Sequence, residues 1–118
     1  MPKLDQQDDV RWPAAGTDLI QVILFRPGHD AAQRTITRGF QPLYDLIGGE
    51  LEFLGVRSHA NGLDELAVVF DIDQPEELPA NVAGIRGPVV GIRCDDTGET
   101  ISLRAGDREI FSSWLRLH

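Results

Sequence analysis

Apolar residues in this chain come in short runs, five or six long at most, as in Leu66-Ala67-Val68-Val69-Phe70. Turn signals such as Pro27-Gly28, Gly48-Gly49 and Asn61-Gly62 separate them. Short runs rich in β-branched and aromatic residues build strands, and they fall far below the roughly 20 residues that a membrane-crossing helix needs. With 118 residues, 42% of them hydrophobic, the chain has the size and core-forming content of one folded domain. The stretch MPKLDQQDDVRW has no apolar segment of the secretory kind, so the expected location is cytoplasmic.

Read in order, residues 1–17 form a polar N-terminal arm, expected to be flexible, with Trp12 as its one anchor. Residues 18–25 read as a first strand, and Arg34-Thr35-Ile36-Thr37-Arg38 as a short extended piece. Residues 40–47 have Pro42 in a first turn, Leu43, Leu46 and Ile47 on one face, and a closing Gly pair; they predict a short helix. Residues 50–56 alternate acid and apolar, as a half-exposed strand does. Residues 66–72 are apolar on both faces and predict a strand inside the sheet. Residues 87–93 and 100–103 read as a hairpin around Asp95-Asp96-Thr97-Gly98. A terminal helix opens at Asp107, with Ile110, Phe111, Trp114, Leu115 and Leu117 as its stripe. The sum is an α+β fold: a small, mainly antiparallel sheet of about five strands, one short helix and a C-terminal helix, in a single domain over 18–118.

The net charge of −8 is unevenly placed. Residues 45–83 hold nine acids against Arg57 alone, whereas residues 19–44 hold Arg26, Arg34 and Arg38 against Asp30. An acidic chain repels phosphate backbones at long range, which argues against general nucleic-acid binding. Cys94 is the lone cysteine, so no intrachain disulfide forms, and its apolar surroundings point to a buried, inert thiol.

Chemistry-bearing patterns are few. No GxxxxGK[ST], GxGxxG, HExxH or GxSxG motif occurs, and His29, His59 and His118 lie far apart. No catalytic residue, metal ligand set or cofactor is therefore assigned. Gly48-Gly49 reads as a helix C-cap and strand entry, with an anion-holding backbone nest as the alternative. Asp71 and Asp73, two apart at a strand end, form with Glu76 and Glu77 an acidic group suited to a basic partner surface. A hard cation is an alternative occupant, which would make the protein a metal-dependent enzyme, and a solvated acidic loop with no ligand is the other alternative. The basic group Arg26, His29, Arg34 and Arg38 is suited to a small anionic, nucleotide-like ligand, with Arg34, Ile36 and Arg38 on one face of an extended segment. Internal ion pairing with the acidic middle third is the alternative role for these arginines.

The sequence Leu43-Tyr44-Asp45-Leu46-Ile47-Gly48-Gly49-Glu50-Leu51-Glu52 resembles a helix–glycine-pair–strand element of domain-of-unknown-function family 3846. Leu78-Pro79-Ala80-Asn81 resembles that family's Leu-Pro-x-Asn element, and Gly87-Pro88-Val89-Val90-Gly91-Ile92 with Asp96-Thr97-Gly98 its final hairpin. The resemblance spans roughly residues 20–105. It implies a small protein of phages, plasmids or bacterial genomes, and it brings no catalytic residues. The expectation is a non-enzymatic accessory protein that captures a small anionic ligand. An acidic inhibitor or modulator of a host protein is the alternative. Exposed edge strands make a homodimer possible in either case.

Overall fold

The computed structural model describes residues 18–58, 65–95 and 97–117. The arm 1–17, His59, Asn61, Gly62, Asp96 and His118 lie outside them, as does the side chain of Leu117. In chain order the elements are β1 (Leu19–Phe25), β2 (Ala32–Thr37), α1 (Phe40–Ile47), β3 (Leu51–Ser58), β4 (Glu65–Asp71), a short 3-10 turn (Val82–Gly84), β5 (Val89–Cys94), β6 (Thr100–Ile101) and α2 (Asp107–Leu117). The strands form one antiparallel sheet in the order β2-β1-β5-β4-β3, and β6 pairs with β5.

This order explains why the fold holds together. The hairpins β1–β2 and β3–β4 are each local, and β5 inserts between them to make one sheet. All six residues of β5 are buried, which is why its sequence is apolar at nearly every position. β4, flanked by β3 and β5, is likewise buried from Leu66 to Asp71, in keeping with the interior strand expected there. Alternation gives β5 two different faces. Val90, Ile92 and Cys94 join Ile20, Val22, Leu24, Ala67 and Val69 under Leu43 and Ile47 of α1. Val89 joins Ile23, Phe25, Leu66, Val68 and Phe70 under Phe111 of α2. Fully burying one such side chain contributes roughly 1.5–3 kcal/mol.

α1 connects β2 at one edge of the sheet to β3 at the other, so it crosses an entire face. Eight residues give a helix of about 12 Å, while five strands are about 19 Å from edge to edge. Part of that face is thus left uncovered. Gly48 ends α1 in the left-handed conformation (φ 81°, ψ 15°), its N–H donating to Tyr44 O at 2.7 Å. Gly49 then passes so close to β4 that a Cβ there would collide with the Asp71 carboxylate. The glycine pair thus has two distinct duties, a C-cap and a close approach.

Two expectations change in extent. The extended piece at 34–38 is a full edge strand, Ala32–Thr37, paired along β1. The expected strand 100–103 shortens to two residues, because the chain turns from β5 to β1 after Ile101. Gln21 N–H donates to Ser102 Oγ at 2.9 Å, and Leu103 N–H donates to Gln21 O at 3.0 Å.

Candidate functional site

The uncovered part of the sheet's α1 face forms a cleft among the described residues. It consists of two adjoining cavities that share Phe40 and Gly98. One, of about 420 Å³, is lined by Arg38, Gly39, Phe40 and the β5–β6 turn residues Thr97, Gly98 and Glu99, with Thr100. The other, of about 320 Å³, lies over Gly55, Ala67 and Cys94 and is lined by Phe40, Phe53 and Glu65, whose Oε2 comes within 3.4 Å of where a Gly55 Cβ would stand.

Local structure accounts for each part. Phe40 opens α1 and Phe53 stands on β3 opposite Val69, so both project on the α1 side. Their rings meet edge to face with centroids 6.2 Å apart. They are nonetheless 58% and 41% exposed, and so form a small apolar patch on the surface. The floor is low because β3 and β4 carry Gly55 and Ala67, directly paired, where larger residues would fill it.

One carboxylate gathers the described residues of the turn wall. Asp95 accepts the Thr97 hydroxyl at 2.7 Å, the Thr97 N–H at 2.9 Å and the Glu99 N–H at 3.0 Å. Gly98 adopts φ +87°, which an L side chain resists. The Thr97 hydroxyl above all, then the Glu99 and Thr97 N–H groups and the Arg38 guanidinium, hold the Asp95 carboxyl below its ordinary value. Arg38 therefore acts electrostatically on this turn. Its own N–H donates to Asp18 O at 2.5 Å, which fixes where the chain enters the sheet. On the floor, burial and then the charges of Glu65 and Asp95 push the Cys94 thiol above its ordinary value, so it stays protonated at neutral pH.

The four ligand-binding candidates do not converge. Arg26 and His29 sit at the β1–β2 turn, where His29 N–H donates to Arg26 O and His29 Nδ1 lies 2.9 Å from Pro27 O. Arg34 is exposed midway along β2, opposite Val22 on the α1 side. Arg38 follows the far end of β2, about 20 Å of extended chain from the turn. Of the four, only Arg38 lines the cleft.

The acidic group also divides. Asp71 is buried and its Oδ1 accepts the Asp73 N–H at 2.9 Å, whereas Asp73, Glu76 and Glu77 are exposed. Among the described residues no three His, Cys, Asp or Glu side chains come together as a cation site. Sequence reasoning passed over Phe40, Phe53 and Gly55. A glycine inside an alternating strand was the available signal, since such a glycine marks open space or close approach.

Set against family models, curated proteins and solved structures, the chain matches none.

Proposed function

We propose that the protein is a non-enzymatic binding protein whose cleft takes a small ligand with a flat apolar body and an anionic group. The carrying observation is the adjacency of Arg38 to the exposed Phe40–Phe53 pair over a low floor. The rings offer stacking area, the floor admits a planar group, and the guanidinium gives a carboxylate, sulfonate or phosphate a two-pronged partner. Glu65 and Glu99 on the same lining disfavour a highly charged anion and favour one bearing a single negative group. An aromatic monoanion, or a nucleotide with one phosphate, is the chemistry that meets these terms. The mobile-element setting implied by the sequence resemblance belongs to the same proposal.

Titration with anilinonaphthalene sulfonate, an aromatic monoanion, tests the reading. Saturable binding is expected, weakened about tenfold or more by Arg38→Ala, as loss of a hydrogen bond to a charged group entails, and weakened also by Phe53→Ala. Equal affinity of wild type and Arg38→Ala would refute it. A second reading, docking of a basic partner surface, is favoured by the exposure of Asp73, Glu76 and Glu77 on one connection. Reversal of Glu76 and Glu77 to Lys should then abolish capture of that partner.

A further inference from the structure

We infer that the protein pairs with a second copy of itself through β3, antiparallel about Phe53, so that each copy lends a phenylalanine to the other's cleft. The first observation is the direction of the backbone groups. Ile72 N–H donates to Glu50 O at 2.8 Å, and the register continues as Leu51↔Asp71 and Glu52↔Phe70. Backbone groups alternate along an antiparallel pair. Those of Glu50, Glu52 and Leu54 therefore face β4, while those of Leu51, Phe53 and Gly55 face outward from the sheet edge. The Phe53 N–H meets the exposed carboxylate of its neighbour Glu52, at 3.2 Å. Outward edge groups of this kind are a template for another strand.

The second observation separates the two edges. β2 exposes Gln33, Arg34, Thr35 and Thr37 and no large apolar side chain, and Gln33 and Thr35 are both bonded to Gln21 of β1. β3 instead exposes Phe53 and Leu54, with Phe40 of α1 against Phe53. An apolar strand edge is what a monomer avoids and a dimer uses.

The third observation selects the partner and the register. A bulge falls between Gly55 and Arg57, so the regular part of β3 is 51–55. A two-fold axis at its midpoint, Phe53, pairs the outward groups of Leu51, Phe53 and Gly55 with those of the partner's Gly55, Phe53 and Leu51. An axis at Glu52 would oppose two like charges, and one at Leu54 would draw the bulge into the pairing. With the axis at Phe53, both Phe53 rings stand on the α1 side, and the partner's Leu51 lies beside Gly55 of the cleft floor. The two clefts then adjoin across the seam. As completion of a binding site the inference rests on the ligand reading above; the pairing itself does not.

Sedimentation equilibrium of the full chain should give the mass of two copies. Phe53→Arg should return it to one copy with circular dichroism unchanged, whereas Thr37→Lys on the β2 edge should leave the dimer intact. Glu52→Ala, which frees the Phe53 N–H, should tighten the dimer. Disulfide formation in a Cys94→Ala background reads the register. Positions 52 and 54 of opposite copies form a non-hydrogen-bonded pair with Cα atoms about 4.5 Å apart, within disulfide range. Glu52→Cys mixed with Leu54→Cys should therefore cross-link, and neither should do so alone.

A single-copy mass at every concentration, or a dimer that Phe53→Arg leaves intact, would overturn the inference. So would cross-linking by Leu54→Cys alone, which would move the axis. Saturable binding of anilinonaphthalene sulfonate by a monomeric wild type would sink this inference and spare the ligand reading. A cross-linked dimer that binds none of that probe would do the reverse. If both hold, affinity for the probe should fall as the protein is diluted into single copies.

Discussion

The guanidinium of Arg93 and the carboxylate of Asp107 form a two-pronged ion pair in the interior, Nη2 to Oδ1 at 2.7 Å and Nε to Oδ2 at 3.0 Å. Both side chains are only 3% exposed. Arg93 points to the α2 side of β5, opposite Leu66, and Asp107 is the first residue of α2. Its Oδ2 also accepts the N–H of Arg104 at 2.7 Å. One carboxylate thus fixes both the start of α2 and its position on the sheet.

Removing either partner leaves a buried charge. Arg93→Ala and Asp107→Ala should each destabilise by about 3–5 kcal/mol, read from denaturant unfolding. A double replacement by Met and Leu should cost much less than the sum. Additive losses would show that the two side chains act separately.

Gly91 is the seat of the Phe111 ring. A Cβ there would lie 3.0 Å from Phe111 Cζ and 3.1 Å from Cε1. Gly91→Ala should therefore overpack the α2 side and cost about 1–3 kcal/mol. Phe111→Leu, costly by itself, should be less so on the Gly91→Ala background. A double-mutant cycle with no coupling would contradict this contact.

Asn81 ties the long β4–β5 connection to the sheet. Its Nδ2 donates to Phe25 O and to Gly87 O, each at 2.8 Å. Loss of two hydrogen bonds at about 1 kcal/mol each makes Asn81→Ala roughly 2 kcal/mol less stable, and Asn81→Asp, which sets a carboxylate against two carbonyls, worse still. Amide exchange should quicken along 78–88 in both variants. Unchanged protection there would remove this tie from the account of the connection.

Asp95 gives the β5–β6 turn a pH response of known sign. Its carboxyl is lowered in the folded protein, chiefly by the Thr97 hydroxyl. The stability it contributes is therefore present above the unfolded carboxylate value of about 3.9 and is lost as pH falls through the lower folded value. Asp95→Asn should flatten the acid limb of stability, and Arg38→Ala should raise the Asp95 titration midpoint. An NMR titration of Asp95 at or above the ordinary carboxylate midpoint would contradict the turn geometry.

Much of this fold was legible because local chemistry decided it. The α1 boundaries follow from apolar spacing and Gly48, and β4 and β5 follow from their apolar runs. Long-range pairing decided the rest. Arg93 sits within an apolar run and finds Asp107 fourteen positions away, a pairing no local pattern announces. Asp71 and Asp73 look equivalent in sequence, yet one is buried and one exposed, because Asp71 lies on the buried side of β4 beside Gly49. The basic group read as one cluster across residues 26–38. An extended strand separates its ends, and only Arg38 reaches the cleft, through the turn into α1. The aromatic walls arose from two elements that sequence spacing does not connect.

The most direct test of the cleft reading is amide NMR of the isotope-labelled protein titrated with anilinonaphthalene sulfonate. Saturable shifts should concentrate at Arg38, Gly39, Phe40, Gly55, Gly98 and Glu99, and should be lost in Arg38→Ala. Shifts centred on the β1–β2 turn at Arg26 and His29, or the same shifts in Arg38→Ala, would contradict it.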